Sequence, residues 1–131
     1  MIKYIIFFVC YANIVFASIG EVTQSSGSST IKRDAEKFNG QVGLDLQMQD
    51  NIITAKGKLR LDFIDDTRVD VTEHSRMTID EFIYDPSNGT GTLSMKATLG
   101  AVRYASGQIA KNSRQRVNIR TPSATINVRG T

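Results

Sequence analysis

Any chemistry in this chain has to begin from His74, its one histidine. The imidazole sits in the run Glu73-His74-Ser75, which holds an acid, a base and a hydroxyl side by side. That order does not make a triad, because adjacent residues of an extended chain point to opposite faces and Ser75 cannot readily meet its neighbour. No Gly-x-Ser-x-Gly elbow occurs elsewhere. His74 therefore reads as a partly exposed turn residue. Asp65 and Asp66 place two carboxylates together, but the loop lacks the alternating oxygen ligands and the glycine of a calcium loop, so turn formation accounts for them better. Gly27-Ser28-Ser29 has no lysine and no helix pattern after it, which rejects a phosphate cradle. Asn88-Gly89-Thr90 matches the permissive glycosylation sequon, which bacterial export would make irrelevant. These residues supply no nucleophile, no metal set and no cofactor site, and they disfavour an enzyme.

The N-terminus carries an address. Met1 to Lys3 gives a short positive start, Tyr4 to Phe16 is apolar except for Asn13, and Val15-Phe16-Ala17 puts small or medium residues at the positions a signal peptidase reads. The apolar run falls short of the ~20 residues that a membrane-crossing helix needs. Residues 1–17 are expected to be a signal peptide and residues 18–131 a single β domain, periplasmic or secreted. Cys10, the one cysteine, lies inside the apolar run without a lipobox, so the mature chain holds no thiol for disulfides, catalysis or zinc. Such a domain depends on core burial and sheet hydrogen bonds.

The period that positions everything else is two. In Lys58-Leu59-Arg60-Leu61-Asp62-Phe63 apolar and charged residues alternate, predicting a strand with one packed and one wet face, followed by a turn at Asp65-Asp66-Thr67. The same alternation recurs at Val69 and Val71, Met77 and Ile79, Leu93 to Ala97, Val102 and Tyr104, Val117 and Ile119, and Ala124 to Val128. Asp85-Pro86-Ser87-Asn88-Gly89-Thr90-Gly91 is the strongest reversal signal. Ser25 to Thr30 is read as a hairpin loop. No stretch shows a 3.6-residue stripe, so the chain is expected to be all-β with little helix, either a sandwich or a solenoid-like stack.

Charge is uneven. Of 131 residues with net charge +3, positions 62–85 hold eight acids against Arg68 and Arg76, while positions 86–131 hold no acid and seven bases. A net charge this mild, with 8% aromatics, gives no case for nucleic acid. Acidic and basic strands are expected to neutralise each other across the sheet. The competing reading is a basic face for an anionic partner, with Arg114, Arg116 and Arg120 as candidate contacts.

The C-terminal run Val117-Asn118-Ile119-Arg120-Thr121-Pro122-Ser123-Ala124-Thr125-Ile126-Asn127-Val128-Arg129-Gly130-Thr131 is strand, Thr-Pro step, strand, then Val-Arg-Gly-Thr. It resembles the FecR-like domain family. Ile19 to Val22 with Ser26-Gly27, Val42 to Asp45, Gln49 to Thr54, Lys58 to Val71 and Ser75 to Ile79 extend the likeness over nearly all of the mature chain. Thr121, Pro122, Ala124, Val128, Arg129, Gly130 and Thr131 read as structural: Pro122 fixes φ, Gly130 permits backbone geometry that other residues resist, and Arg129 is placed to cap an acid. The anti-sigma segment and transmembrane helix of signalling members are missing from this sequence, so it is similar to secreted, stand-alone members. It also stops inside the motif, which implies an incomplete C-terminal end and a last strand short of a neighbour. The resemblance implies a non-catalytic interaction module that senses or relays a signal through contact with an envelope protein. An envelope structural module binding anionic or carbohydrate polymer is the alternative. A hydrolase comes third, and turnover lost on changing His74 would revive it.

Overall fold

The computed structural model describes residues 18–121 and 125–127; residues 1–17, expected to be a signal peptide, and the motif residues Pro122, Ala124, Val128, Arg129, Gly130 and Thr131 lie outside the described residues. Among the described residues twelve strands form: β1 (Gly20–Ser26), β2 (Ser29–Arg33), β3 (Glu36–Asn39), β4 (Asp45–Leu46), β5 (Asn51–Thr54), β6 (Lys58–Phe63), β7 (Arg68–Val71), β8 (Arg76–Asp85), β9 (Thr90–Leu99), β10 (Val102–Ala105), β11 (Val117–Arg120) and β12 (Thr125–Asn127). One short helix, α1 (Gln108–Asn112), and a 3₁₀ turn (Arg114–Arg116) lie between β10 and β11.

The strands make two sheets, a smaller one ordered β10-β7-β6-β1-β4 and a larger one ordered β12-β11-β9-β8-β5-β2-β3. Alternation decides which faces meet. Leu59, Leu61, Phe63, Val69 and Val71 of the smaller sheet share one buried cluster with Ile31, Ile52, Met77, Ile79, Leu93 and Met95 of the larger. The fold is thus a two-layer sandwich, not a solenoid. Phe63 and Phe82 stack across the interlayer at 5.2 Å between ring centroids.

Turn chemistry agrees with the sequence at two places. The β8–β9 reversal closes with Gly89 at φ 71° and with the Asp85 carboxylate accepting from the backbone and hydroxyl of Ser87. Asp66 takes φ 70° between β6 and β7. The Ser25–Thr30 segment differs from expectation. It is no hairpin: β1 pairs with β6 and β4 in one sheet, whereas β2 pairs with β3 and β5 in the other. The chain turns a corner between layers there, with Gly27 at φ 69° pressed so closely on Lys56 that a Cβ would strike its carbonyl.

All neighbouring strands run antiparallel except β9 and β11. That pair is parallel because the chain leaves the larger sheet after β9, adds β10 to the smaller one, and returns through α1. β12 pairs with β11, so it does have a neighbour on one side.

Candidate functional site

The two outward faces carry charge in opposite styles. On the smaller sheet the period-two pattern turns Arg60 and Asp62 of β6 and Arg68 and Asp70 of β7 to solvent, and the register sets Arg60 opposite Asp70 and Asp62 opposite Arg68. Both pairs close at 2.8 Å. The Thr23 hydroxyl donates to Asp62, and β10 lays Arg103 opposite Asp70. Burial pushes the Asp62 carboxyl up, but the hydrogen bonds from Arg68 and Thr23 outweigh it and hold the group below the usual carboxylate range. Both ion pairs cross strands, but their bases come from β6 and β7 themselves and not from the basic segment 86–131, which contributes only Arg103 opposite Asp70.

The larger sheet is different. Its inner row runs Phe38, Ile31, Ile52, Met77 and Ala97, all turned to the core. One residue along each strand, the outer row runs Lys37, Lys32, Asn51, Thr78, Lys96 and Arg120, each directly opposite the next. Two cations stand at one end, two at the other, with an amide and a hydroxyl between. Among the described residues none of these four cations has an acid within ion-pair distance. Beside the row, Asn39, Thr30 and Ile53 contribute to an open groove of 620 Å³ whose lining, which includes Gln41 and Val42, holds no charged residue.

Of the groups that sequence alone nominated for chemistry, Ser75 and Asp65 are committed to structure. His74 occupies an exposed turn at φ 52°. The Ser75 hydroxyl lies 3.2 Å from the carbonyls of Glu73 and Ala101 and accepts from the Ala101 amide, fastening the chain where it passes from β7 to β8. Asp65 is fully buried, and its carboxylate accepts from the Thr67 amide, the Thr67 hydroxyl and the Ile109 amide. It thereby caps α1 from a distant turn, since Gly107 at the helix start has no side chain to do so. Among the described residues there is no group of three or more His, Cys, Asp or Glu placed to hold a metal, and no helix long and apolar enough to cross a membrane.

Of the nominated basic residues, Arg120 is exposed on β11 opposite Lys96, and Arg116 is exposed at the end of the 3₁₀ turn that Arg114 opens. Arg116 lines a separate depression with Lys111 and Thr90. Arg120 alone of the three belongs to the cationic row. Thr121 follows β11 and is half-buried. Sequence reading missed Lys32, Lys37 and Lys96 as members of one row. Lys32 and Lys37 flank Asp34 and Ala35, and that spacing around a two-residue turn was the available signal.

A two-sheet β sandwich with a paired charge ladder on one face and unpaired cations on the other defines a β domain organised around surfaces. The FecR protein family model matches residues 50–131, more than half of the chain, and the chain belongs to that family. The match begins at Asp50, so β1 to β4, which the sequence reading also likened to the family, lie before it. No curated protein and no solved structure matches the chain.

Proposed function

We propose that this FecR-family domain is an exported, non-catalytic interaction module that senses or relays a signal in the periplasm by contact with an envelope protein. The observation that carries the reading is the β10 edge. β10 ends the smaller sheet, and among the described residues no strand covers its other side. The Thr72 amide donates to Ala101 O, and alternation then turns the backbone groups of Val102 and Tyr104 away from β7. A partner segment can add there as a further antiparallel strand. The family membership supports a regulatory role, and the commitment of Ser75 and Asp65 to the backbone supports binding over turnover.

The test is crosslinking capture from envelope extract with the chain from Ser18, at low and at high salt. Strand addition rests on backbone hydrogen bonds, so one defined envelope protein is expected at both salts. Val102→Pro, which removes an outward donor while sparing the ladder to β7, should abolish capture with the unfolding midpoint preserved. Equal capture by a folded Val102→Pro variant would overturn the reading.

A further inference from the structure

We infer that the outer face of the larger sheet is a binding surface for an extended anionic polysaccharide. The surface is separate from the β10 edge, so it stands or falls independently of strand addition.

The argument begins with the row itself. Neighbouring strands lie about 4.8 Å apart, so the five steps from Lys37 to Arg120 span roughly 24 Å. A line of cations across strands is an unusual thing to leave unpaired, since like charges directly opposite each other destabilise a sheet. Both Lys37–Lys32 and Lys96–Arg120 are such pairs. Between β6 and β7 of the smaller sheet Arg stands opposite Asp at both such positions, although Glu21 of β1 lies opposite Asp62 and Asp45. An elongated polyanion lying across the strands would relieve both repulsions together.

Three observations select the chemistry of the occupant. Asn51 and Thr78 separate the two cation pairs, so the row carries charge at its ends and neutral residues in its middle, the Oδ1 of Asn51 being itself buried. The adjoining groove runs along β2, β3 and β5 two residues from the row, about 7 Å away, and offers the hydroxyl of Thr30 and the amides of Asn39 and Gln41 without any charge. Sugar units that carry hydroxyls beside each carboxylate or phosphate fit that pairing of row and groove, which an acidic polypeptide without hydroxyls does not. Among the described residues the outer face holds no aromatic side chain on which bases would stack. Asp80 and Glu81, at the bulge of β8 beyond Thr78, bound the row on the side away from the groove and steer a polyanion towards it.

The probes are polygalacturonate, neutral dextran and poly-glutamate, titrated by calorimetry into the chain from Ser18. Polygalacturonate is expected to bind, weakening as salt rises, and dextran to bind far more weakly. Lys32→Gln with Lys96→Gln should weaken polygalacturonate about tenfold or more. Lys58→Gln with Arg103→Gln removes the same charge from the opposite face and should leave affinity within about twofold. Asn39→Ala with Gln41→Ala should weaken polygalacturonate and leave poly-glutamate unchanged. Equal losses from both charge-removing pairs would reduce the effect to net charge and overturn the site. Binding of poly-glutamate as tight as polygalacturonate, with no effect of the groove pair, would overturn the polysaccharide and assign the face to an acidic peptide.

Discussion

Arg33 grips Asp50 with two parallel hydrogen bonds, Nε to Oδ1 and Nη2 to Oδ2, each 2.9 Å. Asp50 is wholly buried and also accepts from the Gln47 amide, while Arg33 donates onward to Asp45 O and lies 4.9 Å over the Phe38 ring. The hydrogen bond to Asp50 is the chief reason the Arg33 guanidinium is held above its ordinary pKa. The pair joins β2 to the first residue of the family match, so it ties the segment before the match to the segment within it.

Breaking one half of this pair leaves a buried carboxylate without its cation. Arg33→Leu is expected to cost about 3 kcal/mol or more, and Arg33→Leu with Asp50→Leu to recover part of the loss. Urea unfolding of the four forms, analysed as a double-mutant cycle, checks both numbers.

The same tie predicts the behaviour of the matched segment alone. Residues 50–131 lack β1, which stands between β6 and β4, and β2, which covers β5. That fragment is expected to show no cooperative thermal transition, whereas residues 18–131 show one. A sharp transition in the fragment would place the fold's determinants wholly inside the match.

Asp65 should be the most sensitive turn residue. Asp65→Ala leaves the buried Thr67 and Ile109 amides without an acceptor and is expected to cost about 2–4 kcal/mol. The neighbouring exposed Asp66→Ala should cost less, about 1 kcal/mol, through its positive φ. Chemical denaturation of both variants decides the order.

Acid should act through Asp62. Because its folded pKa lies below the unfolded value, its contribution is complete above the ordinary carboxylate pKa of about 4 and is lost as pH falls through the folded value. Asp62→Asn should therefore flatten the fall of stability below about pH 4. Unfolding midpoints measured from neutral pH to pH 3 check this, and parallel curves for the two forms would remove Asp62 from the account.

How much of this was legible beforehand depends on whether a feature lies along a strand or across strands. Leu59, Leu61 and Phe63 announced their burial because period two is written in consecutive residues, and Asn88-Gly89 announced the β8–β9 hairpin in the same local way. The corner at Ser25–Thr30 looked like any Ser/Gly turn, since nothing local distinguishes strands that pair with each other from strands that part into two layers. The cationic row was hidden for a related reason: Lys37, Lys32, Lys96 and Arg120 are brought into one row only through five separate registers. Summing charge over sequence halves pointed to Arg114, Arg116 and Arg120, of which the register keeps Arg120. Neutralisation did occur, but chiefly between the adjacent strands β6 and β7.

The central seat of β1 in the smaller sheet also sets a timetable. It is the first strand to leave the ribosome, yet its long partner β6 is made much later, and Thr23 reaches Asp62 across 39 positions of chain. Pairing across so long a loop is slow, because its closure entropy is lost before any contact rewards it. Until Lys58–Phe63 arrives, β1 is an apolar strand with its proper neighbour unmade. Pairing of β1 therefore waits at least until residue 63 has been made, and a chaperone that shields the first strand during that wait should raise the yield of folded protein.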